Sequence, residues 1–362
     1  MMKKTPKGRK LLLMFLLLVL LVAPVTYMTS EAPMWQDEYV FYRITGELPS
    51  SAVTIDWFYE DNPKTLVPSE YFPVDRKELF HLIYDMPIYS HPTLANYLVY
   101  PVVKIVNVLI DKGTLPSIES SEALDKAETA TVILRLVSMA LFLASMMIVF
   151  KLMYHKVGAL AYLCIVPILF SYYMLSGVGF FYWDAFMWFF FVLTLYLTER
   201  KSKWAYLTAC FLVNTKIVIG MLLLIPLIIQ NRKMAFAALS ILPFYVATTI
   251  ITGDPLYIVA HLLPQTSQYS WIMGDWSMTI VKSFGLVYYF LLTLPILFFV
   301  KKYPAYVATY VIALLYAFGL GVSVNKMSSL FYVGALIVPL LASELIRSSV
   351  WRHTNRLEVA KQ

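Results

Sequence analysis

Two adjacent carboxylates stand in Met34-Trp35-Gln36-Asp37-Glu38-Tyr39, directly after the first apolar run of the chain. A third, Asp184, sits in the aromatic stretch Gly179-Phe180-Phe181-Tyr182-Trp183-Asp184. Two cations interrupt otherwise apolar segments: Arg135 in Thr131-Val132-Ile133-Leu134-Arg135-Leu136-Val137-Ser138, and Lys216 after Asn214-Thr215. An ionisable residue in such surroundings is costly unless it faces a cavity or a partner, so its default reading is functional. Carboxylates can deprotonate an acceptor hydroxyl, and cations can hold a phosphate whose negative charge grows as its bond to a transferred group breaks. Phosphate is already a good leaving group, so one base plus positive charge is sufficient for such a transfer. The structural alternatives are a solvated Asp37-Glu38 pair, a helix cap at Asp184, and snorkelling of Arg135 and Lys216 to lipid headgroups.

The elements that position these residues are membrane helices. Of the 362 residues 60% are hydrophobic and 14% charged, with a mean hydropathy of +0.69, whereas soluble domains have roughly 45–50% apolar and about 25% charged residues. A soluble fold is excluded. The net charge of +7 lies in short clusters between apolar runs, which is topological information rather than a nucleic-acid footprint. Cys164 and Cys210 fall inside apolar segments, so neither suits a metal site or a stabilising disulfide.

Apolar runs cover residues 11–29, 129–151, 157–178, 184–199, 204–230, 234–251, 278–300, 303–322 and 327–346. The first follows Lys3, Lys4, Lys7, Arg9 and Lys10, the outline of a signal peptide, but is long enough to span and reads as a retained helix. Basic residues punctuate the later runs: Lys151, His155 and Lys156; Arg200, Lys201 and Lys203; Arg232 and Lys233; Lys301 and Lys302; Arg347, Arg352 and Arg356. The positive-inside rule makes all of these cytoplasmic. Segment 204–230 is basic at both flanks, so it must cross twice as a hairpin of two short helices with Asn214, Thr215 and Lys216 at the outer bend. Half-length helices are tolerated where they line a cavity.

The expected fold is therefore an all-α polytopic bundle of about ten crossings, one membrane domain over 1–362, with both termini and the short basic tail 347–362 in the cytoplasm. Residues 30–128 form a long extracytoplasmic loop, far beyond the ~12–15 residues of an ordinary connection. Within it, Asn96, Tyr100, Lys104, Asn107 and Asp111 fall on one helical face, which suits an interfacial helix over 92–110.

In order and topological side these pieces resemble the GT-C class of membrane glycosyltransferases, the superfamily of protein O-mannosyltransferases and lipid A aminoarabinose transferases. The resemblance runs from the first span to about residue 255. It is carried by Trp35-x-Asp37-Glu38-x-x-x-Tyr42, His91-Pro92-Thr93-Leu94, Arg135-x-x-Ser138, Asp184, and Asn214-Thr215-Lys216. It implies an inverting-type transferase moving a sugar from a polyprenyl- or dolichyl-phosphate donor to the hydroxyl of a protein, glycan or lipid acceptor at the extracytoplasmic face of a cell or endoplasmic reticulum membrane. Asp37 is then the base, Glu38 and Asp184 line the acceptor side, Arg135 and Lys216 contact the donor phosphate, and Tyr42 and His91 belong to the substrate site. Some members use a divalent metal, for which Asp37, Glu38 and Asp184 are the available ligands. The chain departs from the family pattern at Thr93, where a second Pro is common, and in the short tail after Ser343.

The outer segment between Gly253 and Ser277, with Pro255, Tyr257, His261, Trp271 and Trp276, is expected to cover the cavity and help select the acceptor, with membrane anchoring as its alternative. Two other classes compete with the transferase. A transporter or flippase of lipid-linked sugars would also want charges in a cavity, although no repeat relates two halves of the chain. A non-catalytic scaffold would use the loop aromatics for partners and has no reason to gather the charged residues.

Overall fold

The computed structural model describes residues 8–30, 42, 45, 53–54, 89–90, 93–114, 122–170, 183–252, 291–319 and 329–359. Its helices are α1 (Gly8–Ser30), α2 (Leu94–Asp111), α3 (Glu122–Val157), α4 (Val166–Phe170), α5 (Trp183–Glu199), α6 (Trp204–Thr215), α7 (Ile217–Gln230), α8 (Ile241–Thr252), α9 (Pro304–Leu314) and α10 (Ser329–Val359). Short 3₁₀ helices precede α4 and α8, at Gly158–Ile165 and Arg232–Ser240, and another covers Leu294–Phe299. Among the described residues, Val53–Thr54 pairs antiparallel with Tyr89–Ser90, two residues from each segment.

Among the described residues, four stretches are long and apolar enough to cross a membrane: Leu94–Asp111, Ala130–Leu169, Arg232–Ile251 and Ser329–Ser348. Ile217–Gln230 and Pro304–Ala317 are shorter apolar helices. Backbone groups cannot be left unpaired in lipid, which is why the spanning elements are helices. Leu20, Ile250, Leu291 and Phe298 are largely exposed, as expected where the surrounding medium is hydrocarbon. The inner core is aromatic. Trp188 on α5 stacks on Tyr332 of α10 with ring centroids 5.4 Å apart and planes 9° apart, and Phe142 of α3 meets the same tyrosine edge-on.

Lys10, His155, Lys156, Arg200 and Lys233 gather at one end of the bundle. Lys10 donates to the Tyr154 hydroxyl at 2.7 Å, joining the start of α1 to the end of α3. His155 meets Arg200, joining the ends of α3 and α5. Lys156 pairs with Glu199 at 2.9 Å, and Glu199 also accepts from Tyr306 at the start of α9, at 2.6 Å. Tyr206 at the start of α6 reaches the Lys233 carbonyl at 2.5 Å, just past the end of α7. Next to this cluster Tyr303 donates to Glu344, and burial together with that carboxylate pushes its phenol up to about 12.

One expected element boundary changes and another holds. Lys151, His155 and Lys156 do not form a turn; they occupy the last turns of α3, where cations complement the helix dipole. The chain turns instead at Gly158, whose φ of 65° is the left-handed conformation favoured just past a helix end. The 204–230 hairpin does form. Tyr206 and Lys233 bring its two ends together, Lys216 breaks it with φ −151° and ψ 94°, and α6 and α7 touch backbone to backbone at Gly220, where an added Cβ would lie 2.6 Å from the Leu212 carbonyl oxygen.

Candidate functional site

The end of the bundle opposite the basic cluster holds the candidate site. At α5, chain pairing begins with Trp183 and Asp184 in the first turn, where a carboxylate is favoured by the helix dipole. The side chain does not cap the helix it starts. Asp184 is buried, and its Oδ2 receives the Lys216 ammonium at 2.9 Å. Its Oδ1 accepts a hydrogen bond from the Tyr316 hydroxyl, which in turn accepts one from Lys216 Nζ at 2.6 Å. The ammonium also lies 5.2 Å from the centre of the Tyr316 ring. Three elements converge here. Asp184 comes from α5, Lys216 from the α6–α7 break, and Tyr316 from a π-helical turn, Leu315–Gly319, that continues α9. Such turns shift a side chain out of α-helical register and often mark functional sites.

A second polar group ties α2 to the same end. Asn96, fully buried, accepts from the Thr93 backbone N–H at 2.8 Å and from the Trp183 indole N–H at 3.1 Å, and donates to the Thr45 hydroxyl at 3.0 Å. About three turns further along α2, Tyr42 donates to Asn107 at 2.8 Å. Asn96 and Asn107 are two of the five residues of the polar stripe over α2, and they bond to Thr45 and Tyr42 respectively. The exposed face of α2 carries Leu98, Ile105 and Val108, and α2 as a whole satisfies the length and hydropathy of a span.

Arg135 is buried on α3. Counting back from the His155–Arg200 contact at about 1.5 Å per residue places Arg135 about 30 Å and Asp184 about 24 Å from the basic end. Ser138, one turn below Arg135, is then level with Asp184. Among the described residues, Ser138 Oγ, Asn214 Oδ1 and Trp188 Nε1 are buried polar atoms without a hydrogen-bond partner. Each lies within a turn of a predicted site residue in the chain.

Of the predicted site residues, Asp184 and Lys216 are brought together, and Tyr42 is buried against α2. Asp37, Glu38, His91 and His261 lie outside the described residues, as do Trp271 and Trp276. Tyr316, Trp183 and Asn96 were not singled out from sequence as site residues. Trp183 and Asn96 had a signal, as neighbours of Asp184 and members of the α2 stripe; Tyr316 had none, being one tyrosine in an apolar run. No three His, Cys, Asp or Glu side chains cluster among the described residues. Asp184, with both oxygens engaged by an ammonium and a phenol, does not fit a divalent cation, and no step below is routed through one. Comparison with protein-family models, with curated proteins and with solved structures returns no match.

Proposed function

We propose that the chain is a GT-C-like glycosyltransferase that moves a sugar from a polyprenyl-phosphate donor to an acceptor hydroxyl at the face of the membrane opposite the basic end. The observation that carries this reading is the buried Lys216–Asp184–Tyr316 group at the break of a half-length hairpin, with Tyr42 and Thr45 of the first loop bonded to α2. The positive-inside rule puts the basic end in the cytoplasm, which makes the site end extracytoplasmic and gives about ten crossings.

In the proposed reaction the acceptor oxygen bonds to the anomeric carbon as the bond from that carbon to the phosphate oxygen breaks. The electron pair leaves with polyprenyl phosphate, the acceptor proton passes to Asp37, and attack from the opposite face inverts the centre. Glu38 sits beside the base. Arg135 and Lys216 receive the phosphate. The pairing with Asp184 refines the assignment of Lys216: before donor binds, Asp184 and Tyr316 hold its ammonium in place, and the phosphate must compete with Asp184 for it.

The test is incubation of purified protein with a panel of radiolabelled polyprenyl-phosphate sugars, following loss of label from the lipid. Release by wild type and not by Asp37→Asn supports the transferase. A buried ion pair between half-length helices is also what a transporter would use. Movement of a lipid-linked sugar across vesicles without loss of label would overturn the transferase in favour of that class.

A further inference from the structure

At the basic end, away from the candidate site, the 3₁₀ turn before α9 and the last turns of the span in α10 enclose a groove of about 320 Å³. Its lining is Phe299, Lys302, Glu344, Leu345, Arg347 and Ser348. That volume falls in the range of small-molecule sites, roughly 300–1,000 Å³. Glu344 is nearly buried and fixes the two cations: Lys302 donates to Oε2 at 2.5 Å and Arg347 to Oε1 at 3.2 Å, while Tyr303 donates to Oε1 at 2.8 Å. Each cation spends one N–H on Glu344 and stays about half exposed, 46% for Lys302 and 58% for Arg347. The remaining N–H groups, two on Lys302 and four on Arg347 by their chemistry, are open to a further acceptor. Lys301 adjoins them in sequence and adds a further charge.

The lining beside the cations is apolar, formed by Phe299 and by Leu345, which is 70% exposed. We propose that this groove binds an anionic phospholipid, whose headgroup phosphate bridges Lys302 and Arg347 and whose acyl chains lie against Leu345 and Phe299. Charge complementarity selects that occupant: two cations held side by side by one carboxylate retain a net positive charge, at the bundle end where basic residues of membrane proteins meet anionic lipid. An apolar wall continuous with the headgroup position favours a lipid over a free anion. The site does not depend on the transferase reading, and its test does not use transfer activity.

Native mass spectrometry of the purified full chain, released from micelles doped with equal phosphatidylglycerol and phosphatidylcholine, reads the preference directly. Wild type is expected to retain phosphatidylglycerol about tenfold over phosphatidylcholine, since each basic residue near such a headgroup favours it several-fold. The triple variant Lys302→Gln, Glu344→Gln, Arg347→Gln removes the charges without leaving Glu344 unpaired and should lose the preference. Leu345→Glu keeps the three charged residues, places a carboxylate on the apolar wall, and should lose it as well, which supplies a second reading if the triple variant does not fold. Equal retention of both lipids by wild type, or an unchanged preference in either folded variant, overturns the proposal. So does inorganic phosphate displacing the lipid at millimolar concentration, which would make the groove a free-anion site.

Discussion

Lys216→Met removes one member of a nearly buried ion pair while keeping the apolar stem. Asp184 and Lys216 are 8% and 18% exposed at the side chain and 2.9 Å apart. Their Coulomb attraction at that separation is about 6 kcal/mol at an effective dielectric of about 20, and desolvation takes back much of it. The single variant leaves Asp184 with the Tyr316 hydroxyl, and stranding one member of a buried pair costs about 3–5 kcal/mol. The retained phenol argues for the lower end, about 3 kcal/mol. Asp184→Asn leaves the ammonium with Tyr316 and costs a similar amount. The double variant has no charge to strand, so it should be at least about 2 kcal/mol more stable than the sum of the singles predicts. Unfolding in mixed micelles titrated with dodecyl sulfate measures all four corners of the cycle. Additivity within about 0.5 kcal/mol would mean that the pair is not coupled, and the description of Lys216 as held by Asp184 would fall. The same proteins separate structure from chemistry: a folded double variant that still transfers sugar at the wild-type rate would remove Lys216 from the donor phosphate.

Other expectations concern the base, the hairpin and the topology. Asp37→Asn keeps size but removes the proton acceptor, so turnover should fall by about two to four orders of magnitude with little change in donor affinity; steady-state kinetics on a folded variant retaining more than about a tenth of wild-type transfer would pass the role of base to another carboxylate. Gly220→Ala puts a methyl 2.6 Å from the Leu212 carbonyl oxygen and 2.9 Å from Val213 Cα, so α6 and α7 must part, and the protein should lose about 1–3 kcal/mol in the same unfolding assay although alanine is the better helix former. No loss would mean that the hairpin is not closely packed there. Ser69→Cys should react with a membrane-impermeant thiol reagent in intact cells expressing the protein with its basic end inside; labelling only after the membrane is broken would invert the topology.

What was legible in the sequence follows from the range over which each signal acts. Hydropathy and the spacing of basic clusters are local, and they gave the helical membrane class, the short-helix hairpin and the gathering of Lys10, His155, Lys156, Arg200, Lys233 and Lys302 at one end. The hairpin was forced by charge alone: a run basic at both flanks must return to the side it left. Helix boundaries were less legible, because cations at a helix C-terminus are stabilising and so Lys151 to Lys156 read as a turn when they close a helix. The Asp184–Lys216 pair could be nominated residue by residue but not joined, since the two lie 32 positions apart and nothing in either segment encodes the register between α5 and the α6–α7 break. Tyr316 lies 132 positions from Asp184 in a run with no polar pattern, and only a three-dimensional arrangement with a π-helical turn selects it over the other tyrosines.

The lengths of the helices constrain what a ligand of the proposed site would be. At about 1.5 Å per residue, α6 carries the chain about 18 Å from the basic end before Lys216 turns it back, and Asp184 sits about 24 Å along α5 from its contact with the basic end. A bilayer's hydrocarbon core is about 30 Å thick. With the basic end at the cytoplasmic boundary, the ion pair therefore lies several ångströms short of the outer boundary, inside the depth of the acyl chains, while Arg135 reaches the boundary itself. A water-soluble nucleotide sugar would have to carry its charge below the headgroups to reach Lys216. A phosphate attached to a polyprenyl chain starts at the boundary beside Arg135 and needs to sink roughly 6–12 Å to meet the Asp184–Lys216 pair, with its chain already in lipid. The depth of the pair thus favours a lipid-linked donor on geometric grounds that are separate from the residue pattern that first suggested one.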